Sequence, residues 1–193
     1  KDLAPLCHPR LDLISLSGHK TYAPKGVGAL IVRRRNRKRP PLEPLLVGGG
    51  QERGLRPGTL PVHLVVGFGM AAELAVQEAN ERREHCESIR YDVLEMIKAL
   101  GGVVNGNPNQ SVPHIVNASI PGLDSEAVIL ALRDLVSISN GSACTSASYE
   151  PSHVLTAMGL DDDRRRGAIR LSWGPGSTAP DFGMLQAQLK RLQ

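Results

Sequence analysis

The chain has 193 residues, 41% of them hydrophobic and 22% charged, the make-up of a globular protein, which excludes a disordered or fibrous chain. Its net charge of +4 is too small to imply a nucleic-acid partner, because phosphate binding needs a concentrated basic patch. Aromatic residues make up only 3%, so a base-stacking platform for single strands is excluded as well.

In chain order, the apolar runs Leu11 to Leu16 and Gly28 to Val32 predict two strands, separated by the Pro24-Lys25-Gly26 turn. A basic run and Gly48-Gly49-Gly50 follow. From Pro61 to Gly101-Gly102 the sequence lacks turn punctuation apart from Gly67 and Gly69, which predicts a long helix. Its later part sets Ile89, Val93, Met96, Ile97 and Leu100 on one face. Beyond Ser111 the units shorten. Val112 to Ile120 predicts a strand, Asp124 to Arg133 a helix with Asp124 or Ser125 as N-cap, and Leu135 to Ser139 a strand. Pro151 to Met158 predicts a helix with Gly159 at C′, Ala168 to Trp173 a strand and Asp181 to Leu192 a final helix. Strands alternating with helices give an α/β layer, with a fragment of one sheet before the long helix and a compact unit after it.

Cys7, Cys86 and Cys144 stand far apart, matching neither a disulfide framework nor a zinc cluster, so a reducing, cytoplasmic setting is expected. No apolar run approaches the ~20 residues of a bilayer span, and no membrane partner is expected. The start, Lys1-Asp2-Leu3-Ala4-Pro5, has no hydrophobic signal core and no initiator Met, so the chain reads as beginning inside something longer.

Several segments carry chemistry. Ser17-Gly18-His19-Lys20 follows a strand end, where an amine can condense with an aldehyde cofactor and Ser17 and His19 can donate to a phosphate. A turn lysine is otherwise an ordinary solvated residue. Ser139 to Ser148 is small and polar throughout, which keeps Cys144 accessible to a substrate, whereas Cys7 and Cys86 are expected as inert buried thiols. Arg170 stands on an apolar strand and calls for a carboxylate, either the protein's own or a substrate's. Arg33 to Arg39 holds cations at every position but Asn36; a solvated loop is the expectation, with an acidic partner or nucleic acid as the alternative. Gly48 to Thr59 lacks the ending of a P-loop and the spacing of a dinucleotide fingerprint.

Taken together, these segments resemble the pyridoxal-phosphate-dependent cysteine desulfurases of the iron-sulfur-cluster and nitrogen-fixation group. The matching stretches are Ser17 to Lys20 with Pro24-Lys25-Gly26, Gly48 to Thr59, Gly141 to Ser146, Glu150-Pro151-Ser152 and Ile169 to Ser172, in the family's order and spacing across nearly the whole chain. The resemblance implies a fold-type-I α/β transferase: residues 1–60 as the end of the large cofactor-binding domain, 61–100 as a linking helix and 101–193 as the small α/β domain. It implies pyridoxal 5′-phosphate as cofactor, with Lys20 as the Schiff-base lysine and Ser17 and His19 on the phosphate. Thr59 would reach the phosphate of the neighbouring subunit in a homodimer. Cys144 would take the sulfur of L-cysteine as a persulfide, and Arg170 would clamp the substrate carboxylate. Ala23 stands where the family usually has glycine, and Pro175-Gly176 replaces a common arginine-bearing stretch.

The family's ring-stacking histidine and the aspartate that pairs with the pyridine nitrogen belong to an N-terminal half with no counterpart in these residues. That half is expected as a separate or lost chain. A sulfur-acceptor protein is expected for iron-sulfur assembly, tRNA thiolation or DNA phosphorothioation, and Arg56-Pro57-Gly58-Thr59 leans toward the last. The rival readings are a catalytically silent interaction module and a nucleic-acid binder using Arg33 to Arg39.

Overall fold

The computed structural model describes residues 4–140 and 152–193, and the chain divides into two compact units, Lys1–Ala79 and Asn80–Gln193. The first unit is built on β1 (Leu13–Ser17) and β2 (Gly28–Val32), paired antiparallel from Leu13 opposite Val32 to Ser17 opposite Gly28. The first strand thus sits slightly later than its apolar run suggests. Asp12, inside that run, lies before the strand and pairs through Oδ1 with Arg35 Nε at 2.7 Å.

The basic run is a tight reverse turn. Arg35 and Lys38 exchange both backbone hydrogen bonds at 2.8 Å, and Asn36 and Arg37 take left-handed φ values of 50° and 64°. Such left-handed pairs match the twist of a two-residue hairpin loop. Arg33 donates to the His8 carbonyl at 2.6 Å, so part of this cationic run holds the segment before β1.

α1 (Val62–Gln77) and α2 (Ala79–Ala99) replace the single long helix expected from Pro61. The break is at Glu78, whose φ of −97° and ψ of 11° leave the helical region. Neither Gly nor Pro marks this position, so nothing local in the sequence announces it. Among the described residues, no single helix is long and apolar enough to cross a membrane.

The second unit contains the core. β3 (Val103–Val104), β4 (Ile115–Ser119) and β5 (Ala168–Ser172) form a sheet in that order, antiparallel at both pairings. Val116 opposite Leu171 and Ala118 opposite Ile169 point to one face. They are buried with Ile89, Val93, Met96, Ile97 and Leu100 of α2, the face expected from their spacing. α3 (Ser125–Leu132) adds Val128 and Leu132, and α6 (Phe182–Lys190) adds Leu185 and Leu189. Replacing a fully buried leucine such as Leu189 by alanine costs about 2–5 kcal/mol, because the transfer energy is lost and a cavity remains.

The cap at Asp124 follows from sequence: its Oδ1 accepts from Glu126 N at 2.9 Å. Asp181, expected as the first residue of the final helix, instead caps it, its Oδ1 accepting from Met184 N at 2.9 Å. Other elements differ from expectation. β4 is shorter than Val112 to Ile120, since Pro113 has no N–H to give a ladder. Leu135 to Ser139 contributes only a bridge of Ser139 to Arg170. α4 (His153–Ala157) ends before Gly159, whose φ of 74° is the left-handed stop expected there. The expected start at Pro151 lies outside the described residues. α5 (Asp162–Arg166) was not legible as a helix of its own; Asp161 caps it, with acids in its first turn and arginines in its last.

The units differ sharply in burial. Among described side chains of the first, only Gly18, Ala23 and Ala71 are buried. Leu30 is 54% exposed, Ile31 49%, Leu45 100% and Val47 88%.

Candidate active site

β1 runs directly into a 3-10 turn, Gly18–Thr21, which carries His19 and Lys20. The turn is fixed by its first residue. The Gly18 N–H donates to the Val27 carbonyl at 3.0 Å, and a Cβ on Gly18 would stand 2.7 Å from that same oxygen. Only glycine allows the strand end to lie so close. The Gly18 carbonyl then accepts from the Tyr22 N–H, from Ala23 N at 3.2 Å and from Thr21 Oγ1 at 2.8 Å. Tyr22 closes the turn in the left-handed region, at a φ of 67°.

Ser17, the last residue of β1, and His19 and Lys20 on the turn that follows are all exposed. Among the described residues, no side-chain hydrogen bond or ion pair engages any of the three. A hydroxyl at the strand end, with an imidazole and a primary amine on the turn that follows, forms a donor set that suits a phosphate and an aldehyde, and pyridoxal phosphate carries both. The residues present therefore fit that cofactor.

Thr59 is also exposed and lies in the first unit, after a strained connection. Glu52 and Arg53 adopt left-handed φ of 50° and 59°, followed by Gly54 at 78°. Non-glycine residues in that region cost of order 1–3 kcal/mol each and persist only where surroundings impose them. Gly58 N donates to Gln51 Oε1 at 3.3 Å, closing the loop just before Thr59.

Arg170 lies in the second unit, on β5. Its backbone is paired on both sides, with Asn117 of β4 and with Ser139, whose carbonyl accepts from Arg170 N at 2.6 Å. The side chain points away from Ile169 and Leu171, and its buried Nε has no hydrogen-bond partner among the described residues. A guanidinium in that condition has capacity left for a carboxylate.

Cys144, with the stretch Gly141 to Ser146, lies outside the described residues. Cys86 is buried, and burial pushes its thiol pKa up, which matches the inert role expected of it. Cys7 departs from that expectation by being exposed. Among the described residues no group of side chains could hold a metal ion.

Sequence reasoning missed a polar network beside Arg170. Arg164 Nη2 donates to Asn105 Oδ1 at 2.6 Å, and Asn105 Nδ2 donates to Asn117 Oδ1 at 2.7 Å and to Ser119 Oγ at 2.8 Å. The Ser119 hydroxyl donates back to the Arg164 carbonyl at 2.6 Å. The network ties α5 to the sheet where Asn117 faces Arg170. Its members are separated widely in sequence, so no local pattern reveals them. A nearby cavity of about 350 Å³ is lined by Arg90, Asn105 and Asn117. Arg90 is spent on the carbonyls of Pro108, Val112 and Ile115, at 3.0 to 3.2 Å, and holds loop structure.

Comparison with known proteins supplies the context. The aminotransferase class-V family profile matches residues 8–185. The cysteine desulfurase IscS of Vibrio cholerae serotype O1 is 48% identical over 174 residues, covering 90% of this chain and 42% of the relative. That of Aeromonas salmonicida is 46% identical over the same length, with the same coverage. The chain thus spans well under half the length of these curated relatives. Among solved structures, a NifS-like protein superposes with a TM-score of 0.76 at 33% identity, over 95% of this chain and 45% of that one. DndA from Streptomyces lividans gives 0.71 at 43% identity, over 86% and 47%. SspA, solved in complex with cysteine, gives 0.59 at 35% identity, over 87% and 45%.

Proposed function

The chain belongs to the class-V aminotransferase family, and from that premise we propose that it forms the C-terminal part of a pyridoxal-phosphate-dependent cysteine desulfurase. The whole enzyme would convert L-cysteine to L-alanine and carry the sulfur away as a persulfide on Cys144. One observation carries the reading: an exposed lysine amine, unengaged among the described residues, on the turn that also carries His19 and directly follows Ser17. The likeness to IscS, NifS-like and DndA proteins over nearly all of this chain supports it, and the cysteine in the SspA structure supports the substrate.

When bound, the cofactor supplies an aldehyde for the substrate amine and a ring that accepts electrons from Cα. Ser17 and His19 would hold its phosphate and Lys20 would anchor it. The Lys20 amine would also take the α-proton from Cα and give a proton back to Cα when alanine is formed. Arg170 orients the substrate through two parallel hydrogen bonds to its carboxylate. The Cys144 thiolate attacks the substrate sulfur; the S–S bond forms as the Cβ–S bond breaks, and the bonding pair stays on Cβ, which takes up a proton and becomes the methyl group of alanine.

The remaining parts of the proposal concern partners. A polypeptide corresponding to the N-terminal half supplies the ring-stacking histidine and the pyridine-pairing aspartate, and residues 1–60, 61–100 and 101–193 serve as domain end, linker and small domain. Thr59 completes the site of a second copy in a homodimer. The sulfur leaves to a cytoplasmic acceptor for iron-sulfur assembly, tRNA thiolation or DNA phosphorothioation.

Cys144→Ser tests the sulfur step. The assembled variant is expected to load cofactor and bind cysteine normally, yet to form no persulfide, because a hydroxyl is a far weaker nucleophile toward sulfur than a thiolate. Intact mass after incubation with cysteine reads the gain of one sulfur atom. Alanine production at the wild-type rate would place the nucleophile elsewhere. Arg170→Lys keeps the charge and loses the planar fork, so cysteine binding should weaken by about 1 to 3 kcal/mol. Titration with cysteine measures it, and an unchanged affinity would return Arg170 to a structural role.

A further inference from the structure

α1 contains two glycines, two residues apart, that meet opposite surroundings. A Cβ on Gly67 would lie 2.9 Å from Pro24 Cγ and 3.0 Å from Pro24 Cδ, whereas a Cβ on Gly69 would meet nothing within 4 Å. A glycine inside a helix is unfavourable relative to alanine, so a packed one needs a reason to be there. At Gly67 the reason is a proline ring, which is rigid and cannot swing aside as a long side chain would.

The contact leads to the catalytic turn. α1 packs on Gly18–Thr21, and its Leu64, Gly67 and Ala71 share one helical face. A Cβ on Gly26 would meet Leu64 Cδ1 at 3.5 Å, and Ala71 is 7% exposed. Pro24 follows Ala23, which is 8% exposed and whose N–H is bonded to the Gly18 carbonyl at 3.2 Å. A push on the proline ring therefore reaches the turn that presents His19 and Lys20.

We propose that Gly67 is a positioning residue for Lys20: by having no side chain it lets α1 seat against Pro24 and sets where the lysine amine stands. The proposal rests on the reading of Lys20 as the cofactor lysine.

The test compares Gly67→Ala, Gly69→Ala and the double variant Gly67→Ala with Pro24→Ala in the assembled enzyme. Pyridoxal phosphate affinity, borohydride trapping mapped to Lys20, the pH midpoint of the bound cofactor's absorption band and the thermal midpoint are read for each. Gly69→Ala should match the wild type in cofactor affinity and trapping, with an equal or higher thermal midpoint. Gly67→Ala should bind cofactor at least tenfold more weakly, trap more slowly and shift the pH midpoint. The double variant, lacking the ring atoms that clash, should recover most of the loss. Binding by Gly67→Ala within twofold of the wild type overturns the proposal. If Gly67→Ala fails to fold, the double variant decides: recovered trapping supports the steric account, and none overturns it. If the wild type itself is not trapped on Lys20, the functional reading fails first, and the two failures are distinct.

Discussion

Replacing Lys20 by alanine is expected to abolish the borohydride-reducible link to pyridoxal phosphate in the assembled enzyme and to lower turnover by roughly 10²–10⁴-fold or more, the usual contribution of a positioned acid–base group, with loss of the covalent anchor added. The expectation follows from the turn itself. Gly18 ties it to Val27, three hydrogen bonds converge on the Gly18 carbonyl, and the turn so held, Gly18–Thr21, carries Lys20 next to His19 and directly after Ser17. Lys25 is the nearest rival. It stands in the Pro24-Lys25-Gly26 turn, beyond the left-handed residue Tyr22 that closes the lysine turn. Lys25→Ala should therefore keep the link. Peptide mapping after reduction checks both variants, and a label retained in Lys20→Ala would sink the assignment.

The second large effect concerns the chain in isolation. Expressed alone, it is expected to self-associate, to bind a hydrophobic dye and to hold no productive cofactor. The first unit is a two-stranded sheet and an apolar helix with almost nothing buried, and a two-stranded sheet is marginal in water without a covered face. Ile31, Val47, Val62 and Val66 are between 49% and 88% exposed. Fully burying an exposed side chain of this kind gains about 1.5–3 kcal/mol and these gain the part still exposed, so several together favour a covering polypeptide or aggregation. Sizing by light scattering and dye fluorescence, with and without the complementing N-terminal half, measures this. A monodisperse monomer that binds no dye and unfolds with both units cooperative would contradict it.

The second unit was far more legible in the sequence than the first. The helical face Ile89 to Leu100 and the cap at Asp124 depend on neighbours within a turn or two, and local pattern reports such neighbours. The break at Glu78, the antiparallel pairing of β4 with β5 and the reduction of Leu135 to Ser139 to one bridge depend on partners far away in the chain. The candidate site divides in the same manner. Ser17, His19 and Lys20 were readable because they stand within four consecutive residues at one strand end. The Asn105, Asn117, Ser119 and Arg164 network was not, because it is assembled from three separate elements. Gly67 lay between these cases: its spacing was visible as an exception in a helix, but the proline ring it accommodates was not.

The unequal division of the core also separates two clocks. Amides of β4, β5 and the buried face of α2 sit where release to solvent requires opening the whole second unit, whereas those around β1 and β2 need only a local opening. In the isolated chain the backbone hydrogens near Lys20 should thus exchange with deuterium long before those near Arg170. Assembly would slow the first group toward the second, so the moment at which the lysine turn becomes rigid is readable amide by amide, with no sulfur transferred at all.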